Sequence, residues 1–178
     1  MSVIQVHDKK FQPYIGEQQL QERIREISAA LSNDLKGKKP LFIAILNGSF
    51  MFAADVFKNL TIEAEISFIK LVSYKGTKST GNVVTSIGLD EDLYGRTVVI
   101  LEDIVDTGKT LSQFLPQLEH QQPEKLLIAS LLTKPEAMKY PIKIDYLGFS
   151  VPNKFLLGYG LDYDGLGRNL PEIYQLVE

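Results

Sequence analysis

"TVVILEDIVDTGKTL", residues Thr97 to Leu111, holds the features from which the fold of this 178-residue chain is read. Thr97 to Leu101 is a short apolar run rich in β-branched residues, the pattern of a strand covered on both faces. After it, Leu111, Phe114, Leu115 and Leu118 recur at helical spacing. Strand, polar turn and helix form half of a β-α-β unit, and such units build parallel sheets. The turn itself is chemically contradictory. Glu102, Asp103 and Asp106 repel phosphate, whereas Thr107-Gly108-Lys109-Thr110 at a helix start attracts it through backbone N–H groups and hydroxyls.

The same alternation extends in both directions. Leu41 to Leu46, "LFIAIL", is a second buried-strand run; "NGSF" breaks it, and "FMFAADVFKNL" continues with helix-compatible composition. Upstream, Leu20, Ile24, Ile27, Leu31 and Leu35 predict an amphipathic helix from Glu17, with Gly37 as its end. Ile62 to Ser73 and "VVTSIG" read as strands, "DEDLYG" as a turn, and "YKGTKSTGN", Tyr74 to Asn82, as a polar mobile loop. Pro116 predicts a kink or an early end in the helix after the motif. "KLLIASLLT" and "KIDYLGFSV" supply two more strands. The fold class is therefore α/β, a mostly parallel doubly wound sheet flanked by helices, with ligands at the carboxyl ends of its strands.

Composition narrows the function. The absence of Cys excludes disulfides, thiolate catalysis and Cys-ligated zinc, and makes the reducing cytosol the simplest address. The N-terminus has no apolar leader behind positive charge, so a cytoplasmic protein with no membrane partner is expected. A net charge of −3 offers no basic field for a nucleic-acid backbone. His7 and His120 have no metal-ligand spacing, and the glycosylation-type triplets at Asn47 and Asn59 read as chance. No repeat or linker divides the chain, so one domain over residues 1–178 is expected.

Two ligands compete for the acidic phosphate turn. Gly108-Lys109-Thr110 matches the end of a nucleoside-triphosphate P-loop, but Asp103 stands where that motif needs its first glycine, and three acids would crowd a triphosphate. A sugar phosphate resolves the conflict: phosphate in the cradle, sugar hydroxyls donating to the acids.

"VVILEDIVDTGKTL" resembles the phosphoribosyl diphosphate-binding signature of type I phosphoribosyltransferases, in the form used by the hypoxanthine-guanine members. "LNGSFMFAADV", "SYKGTKSTG", "IASLLTK", "GFSVPNKFLLGYGLDYD" and "RNLPEIYQL" follow in the family's order, so the likeness runs from Leu41 to the end, while the first forty residues carry no match. The resemblance implies the type I phosphoribosyltransferase fold with a small hood subdomain built from terminal segments. It also implies purine salvage: magnesium-dependent transfer of phosphoribosyl from 5-phosphoribosyl 1-diphosphate to hypoxanthine, guanine or both, giving IMP or GMP and pyrophosphate, in a homodimer or homotetramer. A non-catalytic regulatory protein that retains the sugar-phosphate site is the alternative.

Position by position, the resemblance makes Glu102 and Asp103 the ribose-hydroxyl and metal-linked acids, and Asp106 the general base facing the purine's imidazole edge. Thr107, Gly108, Lys109 and Thr110 match the 5-phosphate loop, through backbone more than through the Lys109 charge. Lys134 matches the lysine that donates to the purine's exocyclic oxygen, Phe155 the aromatic that stacks on the base, and Leu156 the residue whose backbone meets the base edge. Asp162 matches a metal-water ligand and Arg168 the pyrophosphate clamp. Leu46, Asn47 and Gly48 match a pyrophosphate-binding turn with a cis peptide at Leu46-Asn47, and Ser73 and Tyr74 begin a loop that closes over the transition state. Two positions depart from the pattern: Asn47 replaces a common lysine, and Gly167 replaces an aromatic.

Overall fold

Continuous apolar runs become the central strands because helices cover both of their faces. The computed structural model describes residues 2–73 and 83–177, so the loop expected at 74–82, with Tyr74, lies outside the described residues. In chain order the elements are β1 (Ile4–Val6), β2 (Lys9–Ile15), α1 (Glu17–Asp34), β3 (Leu41–Leu46), α2 (Phe50–Asn59), β4 (Glu65–Ser73), β5 (Val83–Ile87), β6 (Thr97–Val105), α3 (Lys109–Glu119), β7 (Lys125–Thr133), β8 (Tyr146–Ser150), β9 (Leu156–Leu157) and β10 (Ile173–Leu176). The main sheet has the order β5-β4-β3-β6-β7-β8. Five of its strands are parallel, and β5 is an antiparallel edge.

Strand alternation sorts the core into two layers. Phe42 and Ala44 of β3 join Val99 and Leu101 of β6 under α1 and α2, which contribute Leu20, Ile24, Leu31, Phe52 and Val56. Leu41, Ile43 and Ile45 point the other way, with Val98 and Ile100, against Leu111, Phe114 and Leu118 of α3. Each fully buried side chain of this kind contributes roughly 1.5–3 kcal/mol of transfer free energy. This is the doubly wound sheet that the sequence pattern implies.

Pro116 neither stops the helix at its preceding residue nor prevents a further turn, since α3 runs to Glu119. The proline lies on the exposed side, where a carbonyl left without its partner can meet water, and continuing the helix buries Leu118 to 2% exposure. Two strands are shorter than read: β4 begins at Glu65 rather than Ile62, and β8 at Tyr146.

A second sheet, antiparallel, joins the ends of the chain in the order β1-β2-β10-β9. Phe11 pairs with Leu176 and Gln12 with Gln175. The N-terminal residues that carried no recognisable motif thus become one half of a small sheet that shares β9, and so Leu156, with the cleft described next. None of the described helices is long and apolar enough to cross a membrane.

Candidate active site

The carboxyl ends of β3, β6 and β7 lie side by side, because these strands are parallel neighbours. Strand β6 extends four residues beyond the apolar run, through Glu102 and Asp103 to Val105. Glu102, opposite Ser130 of β7, is only 7% exposed. Its Oε1 accepts the Asp103 backbone N–H at 3.2 Å, and Asp103 Oδ1 accepts the Ile104 N–H at 2.9 Å. Burial, followed by the charge of Asp103, pushes the Glu102 carboxyl well above its ordinary value. Burial also raises Asp103, against its hydrogen bonds and the Arg168 charge. A buried acid beside a half-buried one, with both carboxyls raised, favours the arrival of a cation.

The turn after β3 presses on this pair. A Cβ on Gly48 would lie 1.7 Å from Asp103 Oδ2, so any other residue there would displace the Asp103 carboxylate. The Leu46-Asn47 peptide is cis, as the resemblance implies, and the Asn47 side chain is exposed.

Beyond Asp106 the chain turns sharply into α3. Gly108 has φ 80°, and a Cβ there would come within 2.1 Å of the Tyr140 carbonyl. Thr107 O accepts N–H groups from Lys139 at 2.9 Å and Tyr140 at 3.0 Å, so backbone from the segment after β7 braces the loop. Lys109 N–H donates to Thr107 Oγ1 at 3.3 Å. The first N–H groups of a helix lack intrahelical acceptors and carry its positive dipole end, a seat for an anion. Glu102, Asp106 and Thr107 to Thr110 line a cavity of about 240 Å³ at this point.

A second cavity of about 190 Å³ is lined by Asp103, Asp106, Lys134, Phe155, Leu156, Leu161, Asp162 and Arg168. Ile104 and Asp106 line both cavities, so the two share a wall. Lys134 follows the last residue of β7; its N–H donates to Val105 O at 3.0 Å, and its ammonium lies 3.2 Å from Asp106 Oδ2. At 8% exposure it is not an ordinary solvated lysine. Arg168 donates to Gly160 O at 2.7 Å and pairs with Asp162 at 3.0 Å. Gly167 takes φ 97° beside Leu157, a conformation that L side chains rarely adopt.

Phe155 leaves 41% of its surface exposed. It is backed by Phe11 at 6.2 Å and by Tyr163, edge-on, at 5.7 Å between ring centroids. Lys9 Nζ stands 4.8 Å from the Tyr163 ring centre, and the Tyr163 hydroxyl donates to Asp8 Oδ1 at 2.7 Å. Lys9, Phe11 and Tyr163 were missed by sequence reading, as were Ile104 and Leu161. Only the apolar alternation of β2 hinted that Phe11 faced inward.

Leu46, Asn47 and Gly48 reach the cleft through Gly48 without lining either cavity. Ser73 ends β4, and Tyr74 lies outside the described residues. A larger cavity of about 590 Å³, between the ends of α1 and α2, shares no residue with this cleft. Among the described residues no three His, Cys, Asp or Glu side chains are placed to hold a metal unaided. The adjoining carboxylates of Glu102 and Asp103 fit magnesium, which keeps waters and binds through one or two carboxylates together with substrate phosphates.

Comparison with known proteins agrees with this geometry. Residues 16–164 match the family model of the phosphoribosyl transferase domain. The chain is 43% identical to the hypoxanthine phosphoribosyltransferase of Buchnera aphidicola subsp. Schizaphis graminum, over 92% of this chain and 94% of that protein. It is 41% identical to the hypoxanthine-guanine-xanthine phosphoribosyltransferase of Tritrichomonas foetus, over 89% and 87% respectively. The crystal structure of a hypoxanthine-guanine phosphoribosyltransferase from Bacillus anthracis superposes with a TM-score of 0.86 at 36% identity, covering 93% of this chain and 96% of that one.

Proposed function

The chain belongs to the phosphoribosyl transferase domain family, and on that premise we propose that it transfers phosphoribosyl from 5-phosphoribosyl 1-diphosphate to hypoxanthine, guanine or both. The observation that carries this reading is the shared wall: Asp106 borders both the anion-seating cavity and the one that contains Lys134 and Phe155. A ligand spanning the two has phosphate at one end and a flat base at the other, which is the form of the nucleotide product.

In this reading Thr107 to Thr110 seat the 5-phosphate, and Glu102 and Asp103 accept hydrogen bonds from the ribose hydroxyls. Phe155 stacks on the base, the Leu156 backbone meets its edge, and Lys134 donates to the 6-oxo group. A 6-amino group in that place would set donor against donor, so Lys134 selects 6-oxopurines. Asp106 takes the proton from the imidazole edge as the bond from the anomeric carbon to diphosphate oxygen breaks and the bond to purine nitrogen forms. Arg168 and the Leu46-Asn47-Gly48 turn hold the leaving diphosphate. Glu102, Asp103 and, through water, Asp162 would hold magnesium, which supplies charge neutralisation for that leaving group. Ser73 and Tyr74 begin the segment that closes over the cleft and excludes water.

The reading extends to one domain over the whole chain, a cytoplasmic address and a homodimer or homotetramer. The decisive experiment supplies phosphoribosyl diphosphate, magnesium and each nucleobase separately, and follows nucleotide formation. IMP or GMP is the expected product. Binding of the sugar diphosphate with no nucleotide from any base would instead identify a non-catalytic regulatory protein.

A further inference from the structure

Gly158, Tyr159 and Gly160 have φ values of 97°, 47° and 98°, a run of left-handed backbone with a bulky aromatic at its centre. Such a conformation is uncommon for tyrosine and persists where surrounding contacts enforce it. The Tyr159 ring is 1% exposed, and its hydroxyl donates to Asp55 Oδ2 on α2 at 2.5 Å. Asp55 Oδ2 also accepts from Gln21 at 2.9 Å, and Oδ1 pairs with Lys58 at 2.8 Å. Burial alone would raise Asp55, but bonds from Lys58, Tyr159 and Gln21 reverse that and hold its carboxyl below the ordinary value. Burial, then Asp55, pushes the Tyr159 phenol up, so it remains a donor. Neither Tyr159 nor Asp55 lines the catalytic cavities.

Their position relates two parts of the cleft that no backbone joins directly. The Gly160 carbonyl accepts from the Arg168 guanidinium at 2.7 Å, and Gly160 N–H donates to Arg168 O at 2.9 Å. A Cβ on Gly160 would lie 2.0 Å from the Gly48 carbonyl. Asp55, in turn, sits on the helix that begins at Phe50, directly after the Leu46–Gly48 turn. The bond from Tyr159 to Asp55 therefore links the segment that aims Arg168 to the helix that carries the turn. Arg168 and Gly48, on the two elements so linked, both reach the cleft.

We propose that Tyr159 is a positioning residue: through Asp55 it keeps Arg168 in register with the Leu46–Gly48 turn, so that both address one diphosphate. This rests on the function proposed above. If the ring mattered only as packing, its hydroxyl would be dispensable.

Tyr159→Phe keeps the ring and removes that hydroxyl. The probe is inorganic pyrophosphate with magnesium, titrated calorimetrically, beside steady-state kinetics. The Kd for pyrophosphate and the KM for phosphoribosyl diphosphate are expected to rise about 5- to 20-fold, the scale of a charge-assisted hydrogen bond partly transmitted. The KM for the purine should stay within about twofold, and in an Arg168→Lys background the added effect of Tyr159→Phe should shrink to about twofold or less, because both act on one contact. Asp55→Asn, which keeps an acceptor for the phenol but not the charge, should show a smaller rise than Tyr159→Phe. If Tyr159→Phe does not fold, Asp55→Ala removes the same link and carries the same expectations. Unchanged pyrophosphate affinity, an equal rise in the purine KM, or full additivity with Arg168→Lys overturns the assignment. A wild-type protein that fails to bind magnesium pyrophosphate overturns the proposed function itself, which separates the two failures.

Discussion

The phosphate side of the cleft comes from one continuous stretch, Glu102 to Thr110, at the end of β6 and the start of α3. The opposite side is assembled from the turn after β3, Lys134 after β7 and the segment Phe155 to Arg168. The first is held by backbone, with Thr107 O accepting two N–H groups at 2.9 and 3.0 Å. The second has backbone bonds of its own and adds links between side chains: Lys134 to Asp106, Arg168 to Asp162 and Tyr159 to Asp55. A continuous loop braced through backbone tolerates surface substitution and is damaged by changes in its own conformation. An assembled wall is damaged by loss of any single side-chain link. Asp106, which lies in the continuous stretch and also pairs with Lys134, belongs to both.

The largest effect is therefore expected at the shared wall. Asp106→Asn should lower turnover by about 10²- to 10⁴-fold, the scale of a positioned acid or base, while leaving the affinity for phosphoribosyl diphosphate nearly intact. Steady-state kinetics with direct binding checks this, and near-normal turnover would remove Asp106 from proton transfer.

On the assembled side, Lys134→Ala should raise the KM for 6-oxopurines by about 10- to 100-fold, the scale of a hydrogen bond from a charged group, with a smaller change for phosphoribosyl diphosphate. Equal losses for both substrates would mean that Lys134 only shapes the cleft through Asp106. On the continuous side, Gly108→Ala must move either its φ of 80° or the Tyr140 carbonyl. It is expected to cost about 1–3 kcal/mol, seen as a lower Tm and a KM for phosphoribosyl diphosphate about 10-fold higher. A shift in the purine KM instead would blur the division between the two sides.

That division also explains what was readable before any coordinates. The phosphate loop is local: acids, small residues and a helix start are consecutive, so their chemistry can be inferred without knowing what lies opposite. The sheet was legible for a related reason, since apolar runs such as Leu41 to Leu46 are needed wherever both strand faces are covered. The helix continues past Pro116 to Glu119 rather than ending there, because a local rule met a tertiary one, the burial of Leu118.

Other contacts carry no local signal. Tyr163 meets Asp8 across 155 residues of sequence, and Tyr159 meets Asp55 across 104. The N-terminal hairpin looks featureless until β2 pairs with β10 and places Phe11 behind Phe155. Lys134 reads as a surface lysine unless β7 is known to lie beside β6, where the parallel register brings Thr133 opposite Val105.

By itself, then, the sequence determined the parallel sheet, the acids at its mouth and the helix start that follows them, because periodicity and consecutive polar groups act over a few residues. Only the tertiary structure decided that Lys134 is buried against Asp106, that the N-terminal strand backs the Phe155 ring, and that Tyr159 ties the arginine loop to α2. Those contacts depend on strand order and sheet pairing, which bring distant residues within hydrogen-bonding distance and which no short stretch of sequence encodes.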